Sequence, residues 1–333
     1  MKGQVFKIHS DFYYVNFENK IYECKMREIL KKQKAKILVG DFVEFDFIND
    51  KSAVIQKILP RINYLTRPSV ANISQVVIVS AVKQPDLDLE QLDRYICFAK
   101  YHNIKTRLCF NKNDLSKDDK IIEEVFSIYE PLGFDIIFTS ALENIGIDDF
   151  KEILVGETTV FCGNSGVGKS SLINSVFPEL NLKTKDVSEK TLRGTHTTRH
   201  CEICEADNIR IIDTPGFSNL KFDFIMPNDL CLLFDDISKY SKHCKFRDCT
   251  HTNEIGCEVV AHIHDIAPSR YESYKKFLEE AIQFKERIKN EGNKKEAFLK
   301  TSHNKNFAKI SIQKRQTSRN NVKQQIYKDI QDE

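Results

Sequence analysis

Residues Gly163, Asn164, Ser165, Gly166, Val167, Gly168, Lys169 and Ser170 satisfy the pattern G-x-x-x-x-G-K-[ST], with Ser171 following. The glycines of such a loop let successive backbone N–H groups converge on phosphate oxygens. Lys169 can then reach the β- and γ-phosphates, and the Ser170 hydroxyl is placed for Mg²⁺. The apolar run TTVFCG precedes the loop and a helical pattern begins at Lys169, which is the context a phosphate loop needs. A second group ends the run IRIIDTPG. Asp213 at a strand end can hold the Mg²⁺ water shell, and the Gly216 amide can sense a γ-phosphate.

A third group lies upstream, where the run RLCF leads into Asn111, Lys112, Asn113 and Asp114. A carboxylate here can accept both N1–H and the 2-amino hydrogens of guanine. Adenine offers no such pair, so Asp114 would select guanine by leaving mismatches unpaired. Lys112 can lie along the base and touch the loop. Ser140 and Ala141, ending the next apolar run, would support the base through a backbone N–H.

A separate cluster reads Cys244-x₄-Cys249-x-His251-x₅-Cys257. Three thiolates and one imidazole make a closed tetrahedral set suited to structural Zn²⁺, and ligands this close in sequence can organise a region lacking a large core. His243 could replace His251 if the loop folds differently, and His262 and His264 are nearby competitors. Cys201 and Cys204 form a C-x-x-C in HCEICE and are expected as a buried pair on one side of a strand, not as a metal or redox site.

These groups need elements to position them. The chain has 333 residues, 41% hydrophobic and 29% charged, with a net charge of +2. That is enough apolar material for two or three packed domains. Residues 1–66 carry five short β-branched and aromatic runs, the pattern of a small closed barrel of OB or SH3-like type. Lys31, Lys32, Lys34 and Lys36 in one of its loops suit RNA, although a lysine run is commonly a solvated face. Residues 67–224 alternate buried strands with helices, giving an α/β domain with a mainly parallel sheet. Residues 225–284 read as mostly helical around the Cys/His cluster, with a helix over SRYESYKKFLEEAI opened by a capping box at Ser269 and Glu272. Residues 285–333 form a polar, basic tail, expected as a frayed helix or partly disordered arm.

In a typical GTPase the phosphate loop comes first and the base-reading group last. Here Asn111 and Ser140 precede the loop and Asp213 ends the series. The sheet can be unchanged while the chain enters it elsewhere, which is a circular permutation. The segment after Asp213 then leads directly into the C-terminal region, so nucleotide state could move that region.

With this motif order, RPSVANISQVVIVSA between barrel and α/β domain, GTHTTRH at 194–200 and the Cys/His cluster, the chain resembles the circularly permuted GTPases of the ribosome small subunit-dependent GTPase A (RsgA/YjeQ) family. The resemblance covers roughly residues 1–285. It implies an N-terminal OB-type barrel, a permuted P-loop GTPase domain and a helical zinc-binding domain. It also implies GTP hydrolysis stimulated by the small ribosomal subunit, and a role in late maturation of that subunit. Residues 193–199 would be the first switch, with Thr198, in preference to Thr197, joining Ser170 on Mg²⁺ in the GTP state. Thr195 stands where the family usually carries a basic residue, which puts one phosphate or RNA contact in doubt.

Ras-like enzymes orient the attacking water with a Gln just after the D-x-x-G motif. Phe217 occupies that place and cannot do so. His196 is the candidate for orienting or polarising the water, set against a plain switch-loop or RNA-contact role. Arg193 and Arg199 could stabilise transition-state charge or form ordinary salt bridges.

No long uncharged apolar run suggests a membrane span, and no secretion-signal core is evident in MKGQVFKIHSDFYYV. The expectation is a cytoplasmic protein whose partners are GTP/GDP and the small ribosomal subunit with its rRNA, and for which a monomer suffices. Three other readings stay open. A large-subunit GTPase is disfavoured by the barrel and the metal cluster. A nucleotide-gated RNA binder with incidental turnover is kept alive by Phe217. An ATP-dependent kinase is disfavoured by Asn111 to Asp114.

Overall fold

The computed structural model describes residues 1–49, 52–65, 68–116, 119–178, 201–213, 220–296, 299–302 and 305–308. Five strands open the chain: β1 (Lys2–His9), β2 (Phe12–Phe17), β3 (Lys20–Met26), then, after helix α1 (Glu28–Lys32), β4 (Phe42–Phe47) and β5 (Ser52–Ile58). They pair in the order β1-β2-β3-β5-β4, and β4 returns to β1, so the sheet closes into a barrel. Val5, Val15, Cys24, Val43, Phe45 and Ile55 fill it. Alternate residues point inward, as period-two strands require. Two short strands, β6 (Tyr64–Leu65) and β7 (Val70–Ala71), pair in the connection to the next domain.

That domain contains β8 (Gln75–Ala81), α2 (Leu89–Tyr101), β9 (Lys105–Asn111), α3 (Lys120–Tyr129), β10 (Asp135–Phe138), α4 (Ile147–Glu152), β11 (Thr158–Cys162), α5 (Lys169–Val176), β12 (Glu202–Ala206) and β13 (Ile209–Asp213). Its strand order is β10-β9-β8-β11-β13-β12, parallel except for β12. Val76 and Ile78 of β8 join the core under α2 and α3, whereas Val77 and Val79 join the core under α4 and α5. A strand buried on both faces is why SQVVIVSA reads as a continuous apolar run. The phosphate-loop strand β11 lies in the middle of the sheet although it comes late in the chain.

The barrel and this sheet are continuous. β1 pairs antiparallel with β12 at Lys7 and Glu202, whose side chains meet at 2.5 Å. Cys201 and Cys204 are not the buried pair expected from the sequence. Three residues apart on a pleated strand, they face opposite sides. Cys201 packs with Ile203 toward the α2 core, and both cysteines are half-buried.

After β13 the chain enters a helical region: α6 (Asp235–Ser241), α7 (Glu258–Ala261) and the long α8 (Pro268–Glu296). Ser269 is not an N-cap. The helix already starts at Pro268, whose fixed φ and missing N–H suit a first helical position, so the expected capping box does not form. α8 also runs beyond residue 285, into the stretch expected as a frayed helix or partly disordered arm. Arg287 lies 3.7 Å from Asp223 and ties this stretch back to the body. Strands β14 (Leu299–Ser302) and β15 (Lys305–Ala308) then form a hairpin. Residues 309–333 of the basic tail lie outside the described residues. Among the described residues, no helix is long and apolar enough to cross a membrane.

Candidate functional site

The phosphate loop connects the end of β11 to the start of α5. Two of its glycines are required by the neighbouring backbone. A Cβ on Gly163 (φ +139) would lie 2.0 Å from the carbonyl oxygen of Val79 on β8, and one on Gly168 (φ +91) would lie 2.2 Å from Nδ2 of Asn111. The close approach at Gly168 joins the phosphate loop to the base-reading motif. Lys169 opens α5, and its Nζ donates to the carbonyl oxygens of Gly163 and Asn164, each at 2.8 Å. The ammonium therefore lies over the loop where phosphates would sit, and burial lowers its pKa. Ser170 and Ser171 occupy the first turn of α5, beside the free N–H groups of a helix N-terminus.

Asn111 ends β9, next to the loop, because β9 and β11 flank β8 in a parallel sheet. It is almost fully buried. Its Nδ2 donates to the Val167 carbonyl at 2.9 Å, and its Oδ1 accepts from the Thr139 hydroxyl and the Ala141 N–H, both at 3.2 Å. One side chain thus joins three segments. Lys112 adopts a left-handed backbone (φ 62), its stem passes Gly168, and its ammonium donates to the Gln84 carbonyl. Asp114 receives the Ser140 hydroxyl on Oδ1 at 2.5 Å, and Ser140 Oγ in turn accepts from the Glu143 N–H at 3.1 Å.

This corrects one detail. The Ser140 N–H is taken by the Ile145 carbonyl at 3.0 Å, so Ser140 acts through its hydroxyl on Asp114, not through its backbone. Ala141 supplies the backbone N–H of the pair, directed at Asn111.

Asp213 ends β13, which is parallel to and paired with the loop strand β11. That places its backbone beside the strand feeding the loop. His196, Thr198 and Gly216 lie outside the described residues, as do Arg193, Thr195, Arg199 and Phe217.

Two further contributors escaped the sequence. Thr139 sits beside Ser140 and bridges Asn111, a role that needs the β9–β10 register to be known. The Tyr95 hydroxyl, from α2, donates to Asn164 Oδ1 at 3.3 Å, and no motif marks it.

The second site gathers Cys244, Cys249, His251 and Cys257, whose ligand atoms all lie within 4.8 Å of one another. A tetrahedral Zn²⁺ with ordinary bond lengths would separate two sulfurs by about 3.8 Å and a sulfur from a nitrogen by about 3.5 Å. The corresponding distances are 3.9 Å for Cys244–Cys257, 3.5 Å for Cys244–His251 and 3.8 Å for Cys257–His251. The donor set fits such an ion, and His251, not His243, completes it. Glu254 shapes the loop between the ligands. It accepts from Thr250 N–H (2.6 Å), Thr250 Oγ1 (2.5 Å) and Thr252 N–H (3.0 Å). Partial burial works against ionisation, yet these donors hold its carboxyl down at about 2.

The helical region is fastened to α2 by a buried charge network. Arg270 of α8 donates to Asp93 of α2 at 2.6 Å and to Asp236 of α6 at 3.0 Å, and the Tyr129 hydroxyl donates to the same Asp93 oxygen. Burial raises the pKa of Asp93, while the Arg270 guanidinium and the Ser273 and Tyr129 hydroxyls pull against that shift. Arg94 extends the network to Glu280 at 2.8 Å and to the carbonyl of Leu220 at 3.1 Å.

Comparison with known proteins agrees with this architecture. A family model described as RsgA N-terminal domain matches residues 2–55, and one described as RsgA GTPase matches residues 58–223. A model described as 50S ribosome-binding GTPase matches residues 158–301. The chain is 41% identical over 284 residues to the small ribosomal subunit biogenesis GTPase RsgA of Alkaliphilus metalliredigens, covering 84% of this chain and 97% of that one. It is 41% identical over 291 residues to the protein of the same name from Bacillus cereus, covering 86% and 99%. Among solved structures, YjeQ from Thermotoga maritima is similar with a TM-score of 0.75 and 35% identity, over 84% of this chain and 98% of that one. YloQ, described as a circularly permuted GTPase, is similar with a TM-score of 0.72 and 34% identity, over 85% and 95%. The chain belongs to the RsgA GTPase family.

Proposed function

We propose that this protein binds GTP with Mg²⁺ and hydrolyses it to GDP and phosphate on the small ribosomal subunit, whose late maturation it assists. The observation that carries the nucleotide assignment is the Asn111 side chain, which joins the phosphate loop to the Thr139–Ala141 loop beside Asp114. Phosphates would lie on the N–H groups of residues 163–171 and Lys169, and guanine against Asp114, Lys112 and Ala141. Mg²⁺ would be held by Ser170 and Thr198, with Asp213 on its water shell and Gly216 on the γ-phosphate. Because Phe217 replaces the water-orienting Gln, His196 is the residue to carry that role, and the ribosomal partner would set it in place. Zn²⁺ at Cys244, Cys249, His251 and Cys257 would be structural, since protein fills every position. One chain carries every proposed nucleotide and metal ligand, so a monomer suffices.

The small subunit as partner is supported by the names of relatives that match along nearly their whole length. The match to a 50S ribosome-binding GTPase model keeps the large subunit as the second reading. That model begins at the loop strand and leaves out the barrel. Pelleting the purified protein with isolated small or large subunits, in GDP or a non-hydrolysable GTP analogue, separates the two. The proposal expects GTP-dependent pelleting with small subunits. Retention by large subunits alone would replace it with the second reading.

A further inference from the structure

A groove of about 630 Å³ runs between the barrel and the end of α2, lined by residues that neither the nucleotide nor the metal site uses. One wall is Lys36 and the connection Arg61–Tyr64; the other is Tyr101, His102 and Asn103.

Three features define what could lie there. First, two tyrosines from different segments are half exposed at the groove, Tyr64 at 48% and Tyr101 at 44%. Each ring is held by its surroundings. The Arg61 guanidinium lies 5.6 Å from the Tyr64 ring centroid and is itself fixed by Asp41 at 2.6 and 2.8 Å. Tyr101 donates its hydroxyl to the Phe224 carbonyl at 3.4 Å and packs on the rings of Phe224 and His102. Rings fixed in this way lose little entropy when something stacks on them. Second, among the described residues no carboxylate lines the groove. Its one partly engaged cation, Lys36, gives one N–H to Ser69 Oγ at 3.2 Å and is otherwise exposed. Third, Lys36 ends a segment, Arg27 to Lys36, with five basic residues and one acidic residue, in a chain of net charge only +2. Positive charge is concentrated at this edge.

We propose that this groove binds an unpaired stretch of single-stranded RNA, with bases stacked on Tyr64 and Tyr101 and a phosphate on Lys36. Aromatic platforms beside a cationic rim are how proteins hold single strands without reading sequence. A protein segment is the poorer fit, because the polar Asn63, Asn103 and Lys36 interrupt the apolar lining and only Ile62 offers a large exposed aliphatic anchor. The inference rests on the reading that ribosomal RNA is the partner. It is specific to this groove, and it can fail while that reading stands.

The test is binding of a 5′-labelled oligouridylate of about eight nucleotides to the full chain, followed by fluorescence anisotropy. Tyr64→Ala and Tyr101→Ala are each expected to weaken binding by at least about fivefold, and Tyr64→Phe to retain it. Lys36→Gln should lower the salt dependence by about one phosphate contact. Basal GTP turnover should stay at the wild-type rate in all four variants, which reports that they are folded. For the unaltered chain, photocrosslinking of a 4-thiouridine oligomer should map to Tyr64, Tyr101 or their neighbours. Wild-type RNA affinity in both alanine variants, crosslinks confined to other surfaces, or no RNA binding at all would each overturn the proposal. So would weakened subunit pelleting with RNA affinity intact, which would assign the groove to a protein. Absence of any subunit effect on turnover would instead count against the proposed function.

Discussion

The Asn111 amide bonds three groups on two segments: the Val167 carbonyl of the phosphate loop, and the Thr139 hydroxyl and Ala141 N–H of the loop after β10. Gly168 must therefore stay without a side chain. A Gly168→Ala substitution places a Cβ 2.2 Å from that amide at a φ of +91. Strain of this kind costs on the order of 1–3 kcal/mol, so GTP affinity is expected to fall about tenfold or more, measured with a fluorescent GTP analogue. Affinity within a factor of two of wild type would contradict the geometry. Ser140 works one step further out. Ser140→Ala removes the hydroxyl that donates to Asp114, and guanine-nucleotide affinity should drop about tenfold, as for loss of a hydrogen bond to a charged group. Asp114→Asn should exchange preference from GTP toward xanthosine triphosphate in a competition assay; unchanged competition would remove Asp114 from the base site. Sequence spacing alone pointed to Asn111, Lys169 and Asp114, because each sits at the end of a recognisable strand or the start of a helix. The Ser140–Asp114 bond was not legible, since it depends on how two β/α units are registered. Tyr95 gave no signal, being one aromatic among several on a helix that also has a core to fill.

At the level of elements, α8 is held to α2 by Arg270 between Asp93 and Asp236, with Arg270 only 1% exposed. Removing one member of a buried ion network leaves the others unpaired. Arg270→Ala should therefore cost about 3–5 kcal/mol in chemical denaturation. A loss below about 1 kcal/mol would show that the network is solvated in solution. The metal cluster lies in the same region, and its ligands close a loop that Glu254 shapes. Metal removal by a strong chelator should lower the melting temperature, and Glu254→Gln should speed metal release about tenfold or more, as other outer-shell partners do. Release at the wild-type rate would leave Glu254 without a role. The strands of the α/β sheet were legible because burial on both faces writes continuous apolar runs, and the barrel strands because they alternate. The β1–β12 junction was not, since it is set by an edge-to-edge meeting of segments almost two hundred residues apart, fixed by Lys7 and Glu202. The start of α8 was misplaced by two residues, because a Ser269 cap would begin the helix at Arg270 whereas Pro268 opens it.

For the molecule as a whole, the permuted order has a mechanical consequence. The strand ending at Asp213 continues, after a segment outside the described residues, into Leu220 to Phe224. There the Leu220 carbonyl accepts from Arg94, the Phe222 N–H donates to Glu280 at 2.9 Å, and the Phe222 ring stacks on Phe277 at 4.4 Å. Phe224 also touches Tyr101 at the interdomain groove. On the proposed function, a change beside the γ-phosphate would be one short segment away from both α8 and the groove, while β12, which follows the proposed first switch, is fastened to the barrel. The proposed ribosomal partner is also the one expected to complete the hydrolytic site, given Phe217. The most direct measurement is GTP turnover by the purified protein, alone and with isolated small or large ribosomal subunits. The account predicts slow turnover alone and strong stimulation by small subunits only. Equal stimulation by large subunits, or none by either with GTP binding intact, would contradict it.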